Sequence, residues 1–189
     1  MKSSVSAYLI EKNEILLKSY QLLCLFFANQ QISCIAHPEN PLEPLKRLET
    51  RFLFTQVSTL LLEVAILFRT LDDQIQKLPE SPSRTRYMQQ LSRANENFGP
   101  MLFDGHIDIR ECCNKIIHAV TFEPQLVEGE TAHQKDYAAY FGDFEREIQW
   151  HHLSGNVRIT GQRKKEEWAY LIQIPEFVEA LSFLLLDDG

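Results

Sequence analysis

The sequence predicts an α+β fold, mainly α. The expected architecture is an antiparallel helical bundle with a small C-terminal β-hairpin or three-stranded antiparallel sheet, then a final helix. Three observations carry this. The first half holds long apolar segments of helical period. Residues 155 to 174 switch to strict alternation. Pro175 then opens a last apolar run of helical period. At 189 residues the chain suits a single domain, with the bundle over residues 1 to 120 and the hairpin and terminal helix, residues 150 to 189, packed on it.

Residues 5 to 28 contain neither Gly nor Pro and are dense in apolar side chains, among them Leu9, Ile15, Leu22 and Phe26. This predicts a largely buried helix with Glu11, Lys12, Glu14 and Lys18 on its wet side. Pro38, Pro41 and Pro44, three prolines in seven residues, break it. A second helix is expected over residues 45 to 78, with Leu48, Phe52, Leu60, Val64, Leu67, Phe68, Leu71 and Ile75 as its apolar positions. It would be about 50 Å long at about 1.5 Å per residue. A loop at Pro79–Ser83 precedes a shorter helix over residues 84 to 95, which Gly99-Pro100 ends.

Asp108, followed three residues later by Glu111, resembles a capping box and starts a helix at Ile109. Ile109, Cys112, Cys113, Ile116, Ile117 and Val120 then form one amphipathic core face, and the helix is expected to end before Pro124. Residues 121 to 127 can supply a third strand. Tyr137, Phe141, Phe144 and Ile148 keep helical spacing and suggest another short helix. His151-His152 precede a Ser-Gly-Asn turn. Gly155–Gly161 and Trp168–Ile174 alternate on either side of a polar turn, Gln162 to Glu167, which defines the hairpin. The last helix covers residues 176 to 186.

Composition narrows the function classes. Hydrophobic content of 44% and charged content of 24% are ordinary for a soluble globular protein. The N-terminus lacks the features of a signal peptide, and the run Leu22–Ala28 is too short to span a bilayer. A cytoplasmic protein with no membrane association is expected. A net charge of −7 argues against a broad nonspecific nucleic-acid surface, while leaving room for a local basic site. Arg84, Arg86 and Arg93 form one candidate patch, and Arg163, Lys164 and Lys165 another; solvated loops have the same composition. Cys24, Cys34, Cys112 and Cys113 have no Cys-x-x-Cys spacing, so they are expected to be small buried apolar residues rather than a zinc or disulfide set. No metal and no cofactor is expected. Trp168 and Tyr170 are expected to pack the hairpin.

The candidate site lies on the helix that starts at Ile109. Arg110, Asn114 and His118 stand at i, i+4 and i+8, and each step rotates by about 40 degrees, so the three share one flank. Arg110 offers a planar donor fork to phosphate oxygens in the first helical turn, where free backbone N–H groups also favour an anion. His118 can exchange a proton near neutral pH, as general acid–base work requires. Asn114 between them can orient the histidine or a substrate hydroxyl. The same residues equally suit structural roles: His118 at the helix C-terminus, Arg110 and Asn114 paired with Glu63, Asp72 or Asp73.

The segment Asn114-Lys-Ile-Ile-His118 resembles the motif region of the HEPN domains, small helical bundles of which many are metal-independent endoribonucleases of toxin–antitoxin, CRISPR and phage-defence systems. The resemblance implies that Arg110, Asn114 and His118 act on the scissile phosphate of an RNA, and that two copies of the chain pair so that their motifs meet. The chain departs from the family motif where Cys113, rather than Arg, precedes Asn114; Arg110 stands one turn earlier, with seven residues between it and His118 against the usual four to six. The C-terminal hairpin lies outside the usual bundle. It is similar to that of an uncharacterised bacterial group sharing the Asn-Lys-Ile-Ile-His helix and a late hairpin of Lys, Glu and Trp. A second class of function stays open: a non-catalytic helical interaction or accessory protein, antitoxin-like or a degenerate HEPN relative, that binds a partner protein.

Overall fold

Two long helices and a three-stranded sheet frame the molecule in a computed structural model, which describes residues 11–36, 40–98, 101–102, 105–130 and 149–186. The described elements run α1 (Lys12–Ile35), α2 (Pro44–Gln76), α3 (Pro82–Phe98), β1 (Met101–Leu102), β2 (Gly105–His106), α4 (Ile109–Ile117), β3 (Thr121–Glu128), β4 (His151–Arg163), β5 (Glu166–Gln173) and α5 (Ile174–Leu186). The fold is α+β and mainly α, as its sequence implies. The helix expected around Tyr137 to Ile148 lies outside the described residues.

α1 runs seven residues past its expected end at Ala28 and stops at Ile35. Nothing between those points breaks a helix. The first helix-breaking residue in the sequence after that point is Pro38. The buried residues of α1 are Ile15, Ser19, Leu22, Phe26, Asn29, Ser33 and Cys34, and three of the seven are polar: Ser19, Asn29 and Ser33. Leu17, Tyr20 and Phe27 face outward, and so does Cys24, which corrects its expected burial. α2 packs along α1 and is core from Val57 onward, through Val57, Leu61, Val64, Ala65, Phe68 and Leu71. Its first half leaves Leu48, Phe52 and Phe54 exposed. By length and composition alone α2 could cross a bilayer.

β3, β4 and β5 form an antiparallel sheet in that order, with β4 central. The expected Ser-Gly-Asn turn after His152 is instead a bulge within a continuous β4. Pro124 pairs with Val157 and Leu126 with Leu153, so Ser154–Asn156 face Gln125 alone. Gly155, at φ of 90°, supplies the left-handed residue that lets the strand continue through the irregularity. β1 and β2 form a two-stranded ladder that the sequence did not suggest. α5 buries Phe177, Leu181, Leu184 and Leu185 against α1, α3 and the sheet.

α4 ends at Ile117, earlier than its apolar pattern implies. Val120 is 75% exposed rather than part of the core face. Its N–H donates to Thr160 O at 2.7 Å, and the chain enters β3 one residue later. The sheet captures the backbone before the helix can use its last apolar position.

Candidate functional site at the end of α4

The N-terminal end of α4 is fixed by two side-chain hydrogen bonds. The Asp108 carboxylate accepts from Glu111 N–H at 2.6 Å, and Asn95 Oδ1 accepts from Ile109 N–H at 2.9 Å. Ile109, Cys112, Cys113 and Ile116 are fully buried. Burial pushes the thiols of Cys112 and Cys113 well above their ordinary pKa, so both remain protonated packing groups. Cys113, which stands where the sequence resemblance expects an arginine, is part of the core.

The opposite flank divides into two environments. Arg110 turns back onto α2. One guanidinium nitrogen donates to Asp72, and Nη2 donates to Asp73 at 2.5 Å. Asp72 is fully buried and also accepts from Gln76 at 2.9 Å and from the Tyr87 hydroxyl at 3.1 Å. Three donors hydrogen-bond this buried carboxylate, and the charge of Arg69 Nη1 lies 3.6 Å away, which meets the requirement that such burial imposes. Burial, then the like charge of Arg69, lowers the Arg110 pKa. Burial raises that of Tyr87, which keeps the phenol a donor.

Asn114 joins this network from the other side. Arg69 Nε donates to Asn114 Oδ1 at 2.7 Å, and Arg69 Nη1 donates to Asp73 at 3.0 Å. Arg110 and Asn114 are therefore linked through Asp73 and Arg69. Arg69 is not among the residues expected from the sequence to form the site. Its signal was present, because an arginine inside the apolar half of α2, three and four residues before Asp72 and Asp73, requires partners.

His118 caps α4, its N–H donating to Asn114 O at 3.1 Å. The ring is exposed and faces a cleft of about 590 Å³. The α4 side of the cleft presents Glu111, Asn114, Lys115 and His118; the hairpin side presents Gln162, Arg163, Lys164 and Trp168. Arg110 is not among its walls. The cleft thus joins Asn114 and His118 to three cations and one carboxylate. Glu111 is partly neutralised by Lys115 at 3.4 Å and accepts from Asn114 Nδ2 at 3.2 Å. The Lys115 ammonium lies 5.1 Å over the Trp168 ring and 5.0 Å over that of Tyr170. Trp168 itself covers Gly161, its cross-strand partner, where any Cβ would strike the indole.

The other candidates fall elsewhere. His152 Nδ1 contacts Leu153 O at 2.9 Å and its ring sits 5.4 Å from that of Trp150, while the His151 side chain lines a separate pocket between α1 and α2. Among the described residues, no three His, Cys, Asp or Glu side chains gather as a metal set. In comparisons with protein-family models, with curated proteins and with solved structures, the chain finds no match.

Proposed function

We propose that the cleft beside His118 binds RNA and that the protein is a metal-independent, HEPN-like endoribonuclease of a bacterial defence or toxin–antitoxin system. One observation carries this: an exposed imidazole shares a solvent-open cleft with an amide and three cations. Phosphodiester cleavage in RNA needs a group that takes the proton of the 2′-hydroxyl as its oxygen attacks phosphorus, and positive charge on the phosphate oxygens. The leaving 5′-oxygen then takes up a proton. His118 is assigned the proton transfer and Asn114 the orientation of the hydroxyl. Arg110 is assigned as a positioning residue, which holds Asp73 and, through Asp73 and Arg69, fixes Asn114. In a paired assembly the cleft would meet that of a second copy.

The test is cleavage of single-stranded RNA by the protein and by His118→Ala. The expected loss on substitution is about 100-fold or more; equal activity in both sinks the proposal. The engagement of Arg110 by Asp72 and Asp73 favours a second reading, a non-catalytic accessory protein, because the arginine is already committed to the fold. RNA binding or partner binding with no cleavage selects that reading.

A further inference from the structure

The β4–β5 turn contains a lysine in a conformation that lysine disfavours. Arg163 pairs with Glu166, which leaves Lys164-Lys165 as a two-residue hairpin loop. Lys164 sits at φ of 60°, the one non-glycine residue with positive φ among those described. Hairpins of this type favour Gly, Asn or Asp there, since a longer side chain costs about 1 kcal/mol or more. The strained residue is also the one that lines the His118 cleft, with Arg163 beside it; Lys165 does not. Among the described residues neither Arg163 nor Lys164 has an ion-pair partner, whereas Lys115, the third cation, is held by Glu111 and two aromatic rings. The wall that carries the turn is fixed, because Trp168 is packed between Gly161 and Lys115.

We infer that Arg163 and Lys164 form a phosphate clamp that holds the backbone of a single-stranded RNA across the mouth of the His118 cleft. The inference rests on the cleft being an RNA site and names the residues that grip the strand. Arg163 supplies a donor fork and Lys164 a point charge, the two common ways of holding phosphate. A cleft of about 590 Å³ encloses a small-molecule-sized part of a ligand, which suits one strand. Duplex RNA is instead read over a broad surface of about 16 base pairs.

The experiment measures, against salt concentration, the affinity for a single-stranded 2′-O-methyl oligoribonucleotide, which stays intact because it has no 2′-hydroxyl to attack phosphorus. Arg163→Gln and Lys164→Asn are compared with Lys165→Asn. Asparagine accepts positive φ, so Lys164→Asn retains the turn. Each clamp substitution is expected to weaken binding about 3- to 10-fold and to reduce the salt slope by about 0.7, the value of one single-strand phosphate contact. Lys165→Asn removes the same charge from the same turn and is expected to stay within about 2-fold of the parent. Equal losses at Lys164 and Lys165, or no loss at Arg163 and Lys164, overturn the clamp. Tighter binding of a duplex than of a single strand overturns the choice of ligand. A normal clamp response beside undiminished cleavage by His118→Ala overturns the assignment of His118 and leaves the clamp standing.

Discussion

Arg110 on α4 donates to the fully buried carboxylate of Asp72 on α2. This pairing, together with the contact of Arg110 to Asp73, joins the helix that carries His118 to the longest helix of the fold. Arg110, expected from the sequence to face a phosphate, is thus paired with a buried carboxylate. Its place in the stripe serves packing, and the cations that face the cleft come from α4 and from the hairpin.

Arg110→Met is expected to lower the free energy of unfolding by about 2 to 3 kcal/mol. Removing one partner of a buried pair typically costs 3 to 5. The estimate is reduced because Arg110 is itself 31% exposed and because Gln76, Tyr87 and Arg69 still surround Asp72. Urea denaturation monitored by circular dichroism measures it. A change below about 0.5 kcal/mol would show that the pair is not a structural joint. Arg110→Lys should recover only part of the loss, since a point charge cannot reach both carboxylates.

The helices and the hairpin were legible because their apolar periods are local signals. The capping pair Asp108 and Glu111 placed the start of α4 to the residue. Its end was not legible, because Val120 is claimed by Thr160, forty residues later. The apolar part of the α1 core face, Ile15, Leu22 and Phe26, was legible, but its polar part was hidden for a related reason: Ser19, Asn29 and Ser33 look solvated in sequence and are buried in the fold. The site was half legible. Helical geometry put Arg110, Asn114 and His118 on one flank, and the sequence named Asp72 and Asp73 among possible partners for Arg110. Arg69 left a local signal in its spacing to Asp72 and Asp73, whereas the approach of Arg163 and Lys164 depends on tertiary contacts for which no local pattern exists.

Asn29→Ala is expected to be among the more damaging substitutions in α1, at about 2 to 4 kcal/mol. Asn29 Oδ1 accepts from Leu153 N–H at 2.7 Å, and Nδ2 donates to Glu49 at 2.7 Å. Ser33 adds a 2.5 Å bond to the same Glu49 oxygen. Truncation strands a buried strand N–H and takes one donor from a carboxylate that is only 7% exposed. Thermal or urea unfolding reports the loss. Asn29→Asp keeps the acceptor for Leu153 but places a second carboxylate against Glu49, so it should be no less harmful; a neutral result for either variant contradicts the bridging role.

Gly161→Ala tests the wall of the cleft. A methyl group there collides with the Trp168 indole, so the ring must leave its position over the strand. The expected cost is about 1 to 3 kcal/mol, in the range of other overpacking substitutions. Trp168 also lies under Lys115, so the cation–π contact should be lost with it. Tryptophan fluorescence should shift to the red while the helical circular dichroism signal persists. An unchanged emission spectrum and unchanged stability would mean that the indole does not rest on Gly161.

The paired thiols of α4 predict sensitivity to alkali. Cys112 and Cys113 are fully buried, and burial raises both above the ordinary value of 9.0. Below pH about 9 folded and unfolded chains both keep these protons, and the thiols add no slope to stability. Above it the unfolded chain releases protons that the folded chain retains. Unfolding then becomes easier by up to about 1.4 kcal/mol per pH unit for each thiol, until the folded thiols themselves ionise. The urea midpoint should hold steady from pH 7 to about 8.5 and fall steeply between 9 and 10.5. Cys113→Ala should start lower at neutral pH, by about 1 kcal/mol for the void it leaves, and then fall less steeply by one proton. A parent protein whose midpoint stays flat to pH 10.5 would contradict the burial of this pair, and with it the packing that fixes α4 beneath the cleft.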